Sequence, residues 1–166
     1  MAYEDGRPVG RIAGILSKKS NEKWNTKRLR FSRIDFVDDM EVSGALLDAV
    51  EEWARELGME EVHGPIGFTD MEKEGMLIEG FDRMSNFITI YNAPYYKDHM
   101  AAHGYRKDVD WIEYRVKVPD ALNPKVDRLS KLVLERYGLS IFQPKSIREI
   151  RPYMKPVSRL LNDAYG

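Results

Sequence analysis

The feature that most constrains the fold is an amphipathic pattern over residues 42–57. Its apolar side chains recur every three or four residues, which is the spacing of an α-helix with one buried face. Asp38 or Asp39 is placed to cap the start of this helix, and Gly58 provides its end. The apolar positions are Val42, Ala45, Leu46, Ala49, Val50, Trp53, Ala54 and Leu57.

Strand patterns lie on both sides of this helix. Residues 29–37 alternate large apolar with polar side chains, which is the period of a half-buried strand. Residues 61–66 form a shorter apolar run that ends near a proline. Residues 2–16 have the pattern of a β-hairpin, because Asp5-Gly6 supplies a turn in which glycine adopts a positive φ without a steric clash.

The rest of the chain alternates short apolar runs with turn residues. The elements predicted there are a loop at 17–27, an extended segment at 86–91, a short helix opened by Pro94 and closed by Gly104, a strand at 110–118, a helix at 125–137, a strand at 139–142 and a final helix at 151–165. This order predicts an α/β or α+β fold with a mixed sheet. Prolines at 119 and 124 mark a boundary between a core of residues 1–120 and a helix-strand-helix extension of residues 121–166.

Composition excludes several classes of function. The 166 residues include no cysteine, so a disulfide framework, a thiolate metal site and a cysteine nucleophile are all excluded. No apolar run approaches the roughly 18 residues that a membrane helix needs, and the N-terminus lacks a signal-peptide core. We therefore expect a cytoplasmic protein without a membrane partner.

The charges are balanced overall but unevenly distributed. The 26 basic and 27 acidic side chains argue against a nucleic-acid partner, since such proteins are usually strongly basic. Residues 18–33 are mainly basic and residues 38–61 mainly acidic, and both runs are typical of solvated faces. His99 and His103 have the i, i+4 spacing of a helical metal site, but no third ligand accompanies them, so no metal is predicted.

Several short blocks along residues 2–118, taken in order, resemble the Gcn5-related N-acetyltransferase (GNAT) superfamily, and within it a bacterial group of uncharacterised acetyltransferase-like proteins. The blocks are Phe36–Asp39, Ala49–Met59, Gly64–Ile66, Leu77–Asp82, Tyr91–Tyr96 and Gly104–Lys107. The resemblance implies a GNAT-like mixed, largely antiparallel sheet flanked by helices. It also places the superfamily's first strand and helices before Ala2, so residues 121–166 either complete the sheet or begin a second GNAT-like domain.

The resemblance further implies a site for acetyl-CoA or another acyl-CoA between two splayed strands, with the diphosphate on backbone N–H groups at the start of the long helix. Acidic residues occupy that start, where the superfamily has arginine, glutamine or glycine, and negative charge there disfavours a diphosphate. Gly44 and Ala45 are the small residues that remain. The implied cofactor-binding residues are Phe36, Val37, Val42, Ser43, Gly44 and Asn92.

Two side chains are candidates for catalysis. Tyr96 stands near the short helix, where active relatives use a tyrosine to protonate the leaving thiolate, although such a tyrosine can equally be a packed residue with a bonded hydroxyl. Asp35 lies mid-strand, out of phase with its apolar neighbours, and is either a base acting through water or the polar face of a strand. Asn92 contacts a pantetheine arm or, more simply, caps the helix that begins at Pro94.

These observations leave two functional hypotheses. The first is an acyl-CoA-dependent N-acyltransferase-like protein, with an unidentified amine attacking the thioester directly. The alternative is a catalytically silent GNAT-fold module for dimerisation or for support of an adjacent domain, which the acidic helix start favours. The expected partner is a second copy in a homodimer, with exchange of the C-terminal segment as one arrangement.

Overall fold

A four-stranded mixed sheet, ordered β1-β2-β3-β4, forms the centre of the N-terminal part of the chain. The computed structural model describes residues 1–69, 71–87, 89–121 and 123–165, and it describes residue 165 by its backbone alone. The chain divides into two compact units, residues 1–113 and 114–166, and each is described by itself. The fold is therefore of the mixed α+β class, as the pattern of strands and helices predicts.

The first three strands confirm the predicted hairpin and long strand. β1 (Ala2–Glu4) and β2 (Arg7–Ile15) are antiparallel and are joined through Asp5 and Gly6, both at positive φ. β3 (Arg28–Phe36) is antiparallel to β2. The register advances by one extra residue in β3 between Ser32 and Asp35, and Arg33 there has a φ of 50°. Such a bulge bends the strand and increases its twist.

β3 and β4 run parallel, and β4 ends well before β3. β4 (Glu61–His63) pairs with Arg28–Arg30, at the beginning of β3. β4 ends there, whereas β3 continues to Phe36. The far end of β3 therefore has an edge that no strand in the described part of the chain covers.

The long helix α2 (Met40–Glu56) confirms the strongest pattern in the sequence. Its buried residues are Ser43, Leu46, Leu47, Val50 and Ala54, so the helix is turned slightly from the expected face and leaves Trp53 at 38% exposure. These side chains pack on the sheet in a core with Leu29, Phe31, Ile34, Phe36, Tyr96 and Met100.

Two smaller helices complete the first unit. α1 (Lys18–Trp24) lies where a loop was predicted, and it has no buried residue. Because no apolar face marks it, periodicity gives no signal for a helix there; it ends at Asn25, which adopts the left-handed conformation. α3 (Tyr96–Ala102) is the short helix predicted after Pro94, and it packs its first turn into the core.

Two predicted strands, at 110–118 and 139–142, are wrong, and the segment 86–91, predicted only as extended, forms no named strand among its described residues. In the segment 86–91, only Thr89 forms a single parallel bridge, with Glu74, and Ile88 lies outside the described residues. The described residues of 110–118 and 139–142 form no strand, and side chains such as Tyr114 (81% exposed) are solvated. A strand is stabilised by hydrogen bonds to a neighbour, and within the described residues these segments have no paired neighbour.

The second unit contains two amphipathic helices rather than a helix, a strand and a helix. α4 (Pro124–Tyr137) begins at Asn123, whose side chain accepts from Lys125 N, and ends at Gly138 in the left-handed conformation. α5 (Ile147–Tyr165) begins four residues earlier than the pattern predicted. None of the helices described is long and apolar enough to cross a membrane.

Gly10 determines how closely α2 approaches the sheet. A Cβ at this position would lie 2.7 Å from Leu46 Cδ1 and 3.1 Å from Val42 Cγ1, both on α2. We expect Gly10→Ala to lower the free energy of unfolding by about 1–3 kcal/mol, because overpacking forces the helix or its side chains to move. Urea unfolding measures the change, with Glu4→Ala on the exposed face of β1 as a control that should stay close to the wild type. A wild-type midpoint for Gly10→Ala would contradict the close helix–sheet contact.

Candidate functional site

The candidate site lies at the end of β3, where two tyrosine hydroxyls replace a neighbouring strand. Val37 N donates to Val9 O, so the backbone groups of Phe36 face the opposite, uncovered edge. There Phe36 N donates to the Tyr96 hydroxyl at 3.1 Å, and the Tyr95 hydroxyl donates to Phe36 O at 2.6 Å. The first turn of α3 is thus bonded to the backbone of the strand end.

Aromatic rings enclose this strand end. The rings of Phe36 and Tyr96 stack with centroids 4.1 Å apart, and the ring of Tyr95 lies 5.3 Å from that of His99. Burial raises the pKa of Tyr96, and burial followed by the negative charges of Asp38 and Asp35 raises the pKa of Tyr95. Both hydroxyls are therefore protonated at neutral pH, which the predicted role of Tyr96 as a proton donor requires.

Asp35 stands close to this site but already has a partner. Its carboxylate accepts from Arg11 Nε at 2.6 Å, and Arg11 is its directly opposite residue on β2. Both side chains are more than half exposed. The structure therefore places Asp35 on the polar face of the sheet, near enough for its charge to raise the pKa of Tyr96. The base role stays a prediction, and the pairing with Arg11 was missed because it depends on strand register.

Asp39 occupies the start of α2. Its Oδ1 accepts from Glu41 N at 2.7 Å and from Val42 N at 3.2 Å, which confirms the predicted cap. These amides are among those that a diphosphate at this helix start would use. With Asp38 and Glu41 beside the cap, the helix start does not fit a diphosphate as it stands.

Ser43, predicted as a cofactor contact, is fully buried in a chain of polar side chains. Its Oγ lies 2.8 Å from His99 Nδ1 and 2.8 Å from His103 Nε2. His99 Nε2 in turn lies 2.9 Å from Asp38 Oδ1. Sequence reasoning missed this chain, because Asp38 and His99 are 61 residues apart. The i, i+4 spacing of the two histidines was its only local signal.

Of the other implied contacts, Gly44 and Asn92 have structural neighbours of their own, whereas Val37 is exposed. A Cβ on Gly44 would lie 3.0 Å from His103 Cε1, so this glycine makes room for the imidazole ring. Val37 is 45% exposed. Asn92 is buried and accepts from Leu77 N at 2.6 Å, while its amide donates to Leu77 O. It therefore holds a loop, and the prediction that it caps the short helix is wrong.

A concave region lies apart from this strand end, beside the C-terminal half of α2. This cavity of about 260 Å³ is lined by residues that include Ala54, Met59, His103 and Tyr105. The Tyr105 hydroxyl donates to Glu51 Oε1 at 3.2 Å, and burial, followed by the charge of Glu51, raises the pKa of Tyr105. The acidic side chains of the cavity are already paired: Glu51 with Arg55, Glu60 with Lys27 and Glu61 with Arg28.

Comparison with known proteins gives two relatives of greater length. The chain is 30% identical to Protein YghO of Escherichia coli (strain K12) over 141 residues, which cover 82% of this chain and 36% of that protein. It is 26% identical to a bacterial ceramide synthase of Caulobacter vibrioides over an alignment of 173 positions, which covers 100% of this chain and 43% of that protein. The chain thus spans about two fifths of the length of these relatives. No family model and no solved structure matches it.

The cap at the start of α2 can be tested directly. We expect Asp39→Ala to lower the free energy of unfolding by roughly 1 kcal/mol, because Glu41 N and Val42 N lose their acceptor. Asp39→Asn is the matched control and should stay close to the wild type, since asparagine caps about as well as aspartate. Equal losses in both variants would show that the carboxylate charge, rather than the cap, matters. Thermal or urea unfolding distinguishes the two outcomes.

Buried Tyr96 and half-buried Tyr95 and Tyr105 predict the behaviour of the protein at alkaline pH. Their raised pKa values mean that the folded chain retains protons that the unfolded chain releases above about pH 10. The free energy of unfolding should therefore fall as the pH rises through that value. Tyr105→Phe should make this fall less steep, as measured by urea midpoints between pH 8 and 11. An unchanged slope in Tyr105→Phe would contradict the burial of this hydroxyl.

Proposed function

We propose that this chain is a GNAT-like, acyl-CoA-dependent N-acyltransferase module that transfers an acyl group from a thioester to an amine. The observation that carries the proposal is the end of β3 at Phe36, whose backbone groups are bonded by the Tyr95 and Tyr96 hydroxyls and not by a neighbouring strand. The early end of β4, which leaves the last residues of β3 without a parallel neighbour among the described strands, is compatible with it, since the superfamily resemblance implies an opening between two strands for the acyl donor. The proposal also includes a homodimer in the cytoplasm, in which the two copies exchange residues 121–166.

The proposed chemistry requires the acyl carbonyl to replace the Tyr96 hydroxyl oxygen as the acceptor of Phe36 N–H. A fixed N–H then stabilises the negative charge that develops on the carbonyl oxygen during attack by an amine. The protonated Tyr96 hydroxyl beside it then supplies a proton to the departing thiolate. Tyr95 keeps the strand end in place through its bond to Phe36 O.

The relative from Caulobacter vibrioides also supports N-acyl transfer. It is named a ceramide synthase, and a ceramide is the amide of a fatty acid with a long-chain amino alcohol. The named reaction therefore forms an amide bond at an amine. Because the chain spans less than half of that relative, we propose only the reaction class for it, with a long-chain amine as the first acceptor to test.

A silent GNAT-fold module is the second candidate, and the Asp39 cap favours it. The carboxylate holds the amides that a donor diphosphate would need, so donor binding at this helix start requires the cap to open. A module that never binds a donor requires no such change. Its function is then to support dimerisation or an adjacent domain.

Donor binding separates the two candidates. With 1 mM acetyl-CoA or palmitoyl-CoA and a Kd near 0.1 mM, binding to the native state adds about 1.4 kcal/mol, which raises the melting temperature by roughly 3–5 °C. Tyr96→Phe should keep this shift but slow release of CoA in the presence of a long-chain amine. Tyr91→Phe, which removes a hydroxyl bonded to Phe81 O, is the control and should leave both the shift and the rate of CoA release as in the wild type. No shift with either thioester would remove the transferase and leave the silent module.

A further inference from the structure

We propose that α5 is a docking surface for a membrane that contains anionic lipids, and that this helix lies flat on the bilayer rather than crossing it. Docking of this kind is independent of acyl transfer, because it involves only the second unit. No membrane partner is expected from the sequence, since no apolar run is long enough to span a bilayer. A helix that lies on the surface, however, needs only one apolar face.

One side of α5 is apolar along the whole helix. The helix has 19 residues and is therefore about 28 Å long. Its apolar side chains recur every three or four residues, and the large ones from Ile150 to Leu161 are between 39% and 67% exposed. The members of this face are Ile147, Ile150, Tyr153, Met154, Val157, Leu160, Leu161 and Ala164. Phe142 packs its ring on that of Tyr153, and the rest of the face presents a broad apolar surface to a partner.

Four cations form a strip along the polar side of α5, next to the apolar face. The strip consists of Arg148, Arg151, Lys155 and Arg159. These positions are three or four residues apart, so their side chains lie on one side of the helix. None of the ion pairs in the described part of the chain involves them. The strip therefore carries four positive charges that a partner of opposite charge can neutralise.

The acidic side chains of α5 do not interrupt this strip. Glu149 bonds the start of the helix, where its Oε2 accepts from Lys145 N at 3.0 Å and its Oε1 from the Ser146 hydroxyl at 3.1 Å. Asp163 lies in the last turn. The apolar face and the cations beside it therefore match the two layers of an anionic bilayer, its acyl chains and its phosphate headgroups.

Two prolines fit a helix whose polar side stays in water. Pro152 and Pro156 lie inside α5, on the side opposite the apolar face. Because proline has no N–H, the carbonyls of Arg148 and Pro152, four residues earlier, lose their helical donor. Water can bond these carbonyls on the polar side, whereas acyl chains offer no donor. The prolines therefore favour the orientation in which the apolar face contacts lipid.

A bilayer covers this face better than a second copy of the chain does. The two concavities described in the first unit, one beside α2 and one around Lys27 and Glu60, are lined mainly by polar and charged side chains. Neither matches an apolar face that is about 28 Å long. In the proposed homodimer, α4 then supplies the apolar contact between the copies, since its own apolar side chains are also exposed.

Cosedimentation of the full chain with vesicles tests the docking surface. We expect binding to phosphatidylcholine vesicles with about 30% phosphatidylglycerol, and roughly tenfold weaker binding to pure phosphatidylcholine or in about 0.5 M NaCl, because salt screens the attraction. Arg151→Gln with Lys155→Gln should weaken binding by roughly 25-fold, since each cation near an anionic surface contributes about fivefold. These side chains are exposed, so the fold should be retained.

The matched control removes the same charge from the other helix of the unit. Lys125→Gln with Arg128→Gln, both exposed on α4, should bind within about twofold of the wild type, because charges away from the lipid surface are screened. A loss as large as that of the α5 variant would overturn the assignment of docking to α5. Equal binding of the wild type to neutral and anionic vesicles would overturn the role of the cations.

A tryptophan on each side of α5 tests its orientation. With anionic vesicles, Val157→Trp should show a blue shift in emission relative to the wild type, because the new ring enters the apolar layer. Asn162→Trp, on the polar side, should show none. The three natural tryptophans lie outside α5 and are common to all the spectra. Equal shifts in the two variants would overturn the assignment of the apolar face to lipid.

The remaining outcomes separate docking from a second copy and from the proposed transfer. No binding to anionic vesicles would overturn the docking surface. A lipid-free dimer that Met154→Ser with Leu161→Ser disperses in size-exclusion chromatography would then assign the apolar face to a second copy. Vesicle binding by a chain that transfers no acyl group to an amine would remove the transferase and leave the docking surface.

Discussion

The site depends on one arrangement, the capping of the free edge of β3 by the first turn of α3. Beyond its pairing with β4, the strand presents a buried N–H and C=O at Phe36 that no strand in the described part of the chain satisfies. A buried donor left unpaired costs about 1–3 kcal/mol, so the hydroxyls of Tyr95 and Tyr96 are needed there. The same two hydrogen bonds hold the first turn of α3 against the end of β3, and they therefore set the position of His99 on that helix.

Two adjacent aspartates have separate tasks because the chain turns between β3 and α2. Asp39 faces the amides of the first helical turn and caps them, while Asp38 accepts from His99 on α3. The buried Ser43 joins α2 to α3 through its hydrogen bond to His99, and it also bonds His103, the residue just after α3. Polar groups buried in this way must all be satisfied, which restricts the two helices to one relative placement.

Local pattern predicted the elements that carry their own signal. α2 was found from its apolar period, β2 and β3 from alternation and a turn, and the Asp39 cap from its position before the helix. Apolar periodicity does not predict α1, because that helix has no buried side chain. Alternation predicts a strand at 110–118, but alternation does not show whether a neighbouring strand is present to pair with it. Gly44 was assigned to a cofactor for its size, whereas in the structure its size accommodates His103.

By itself, the sequence determined the mixed α+β class, the long helix, the hairpin and the capped helix start, because each depends on residues a few positions apart. Only the tertiary structure decided that Tyr95 and Tyr96 reach Phe36, 59 and 60 residues away, and that His99 reaches Asp38 across 61 residues. Those contacts follow from how α3 packs against α2 and the end of β3. Packing of that kind is set by the shape of the whole core, and no local spacing encodes it.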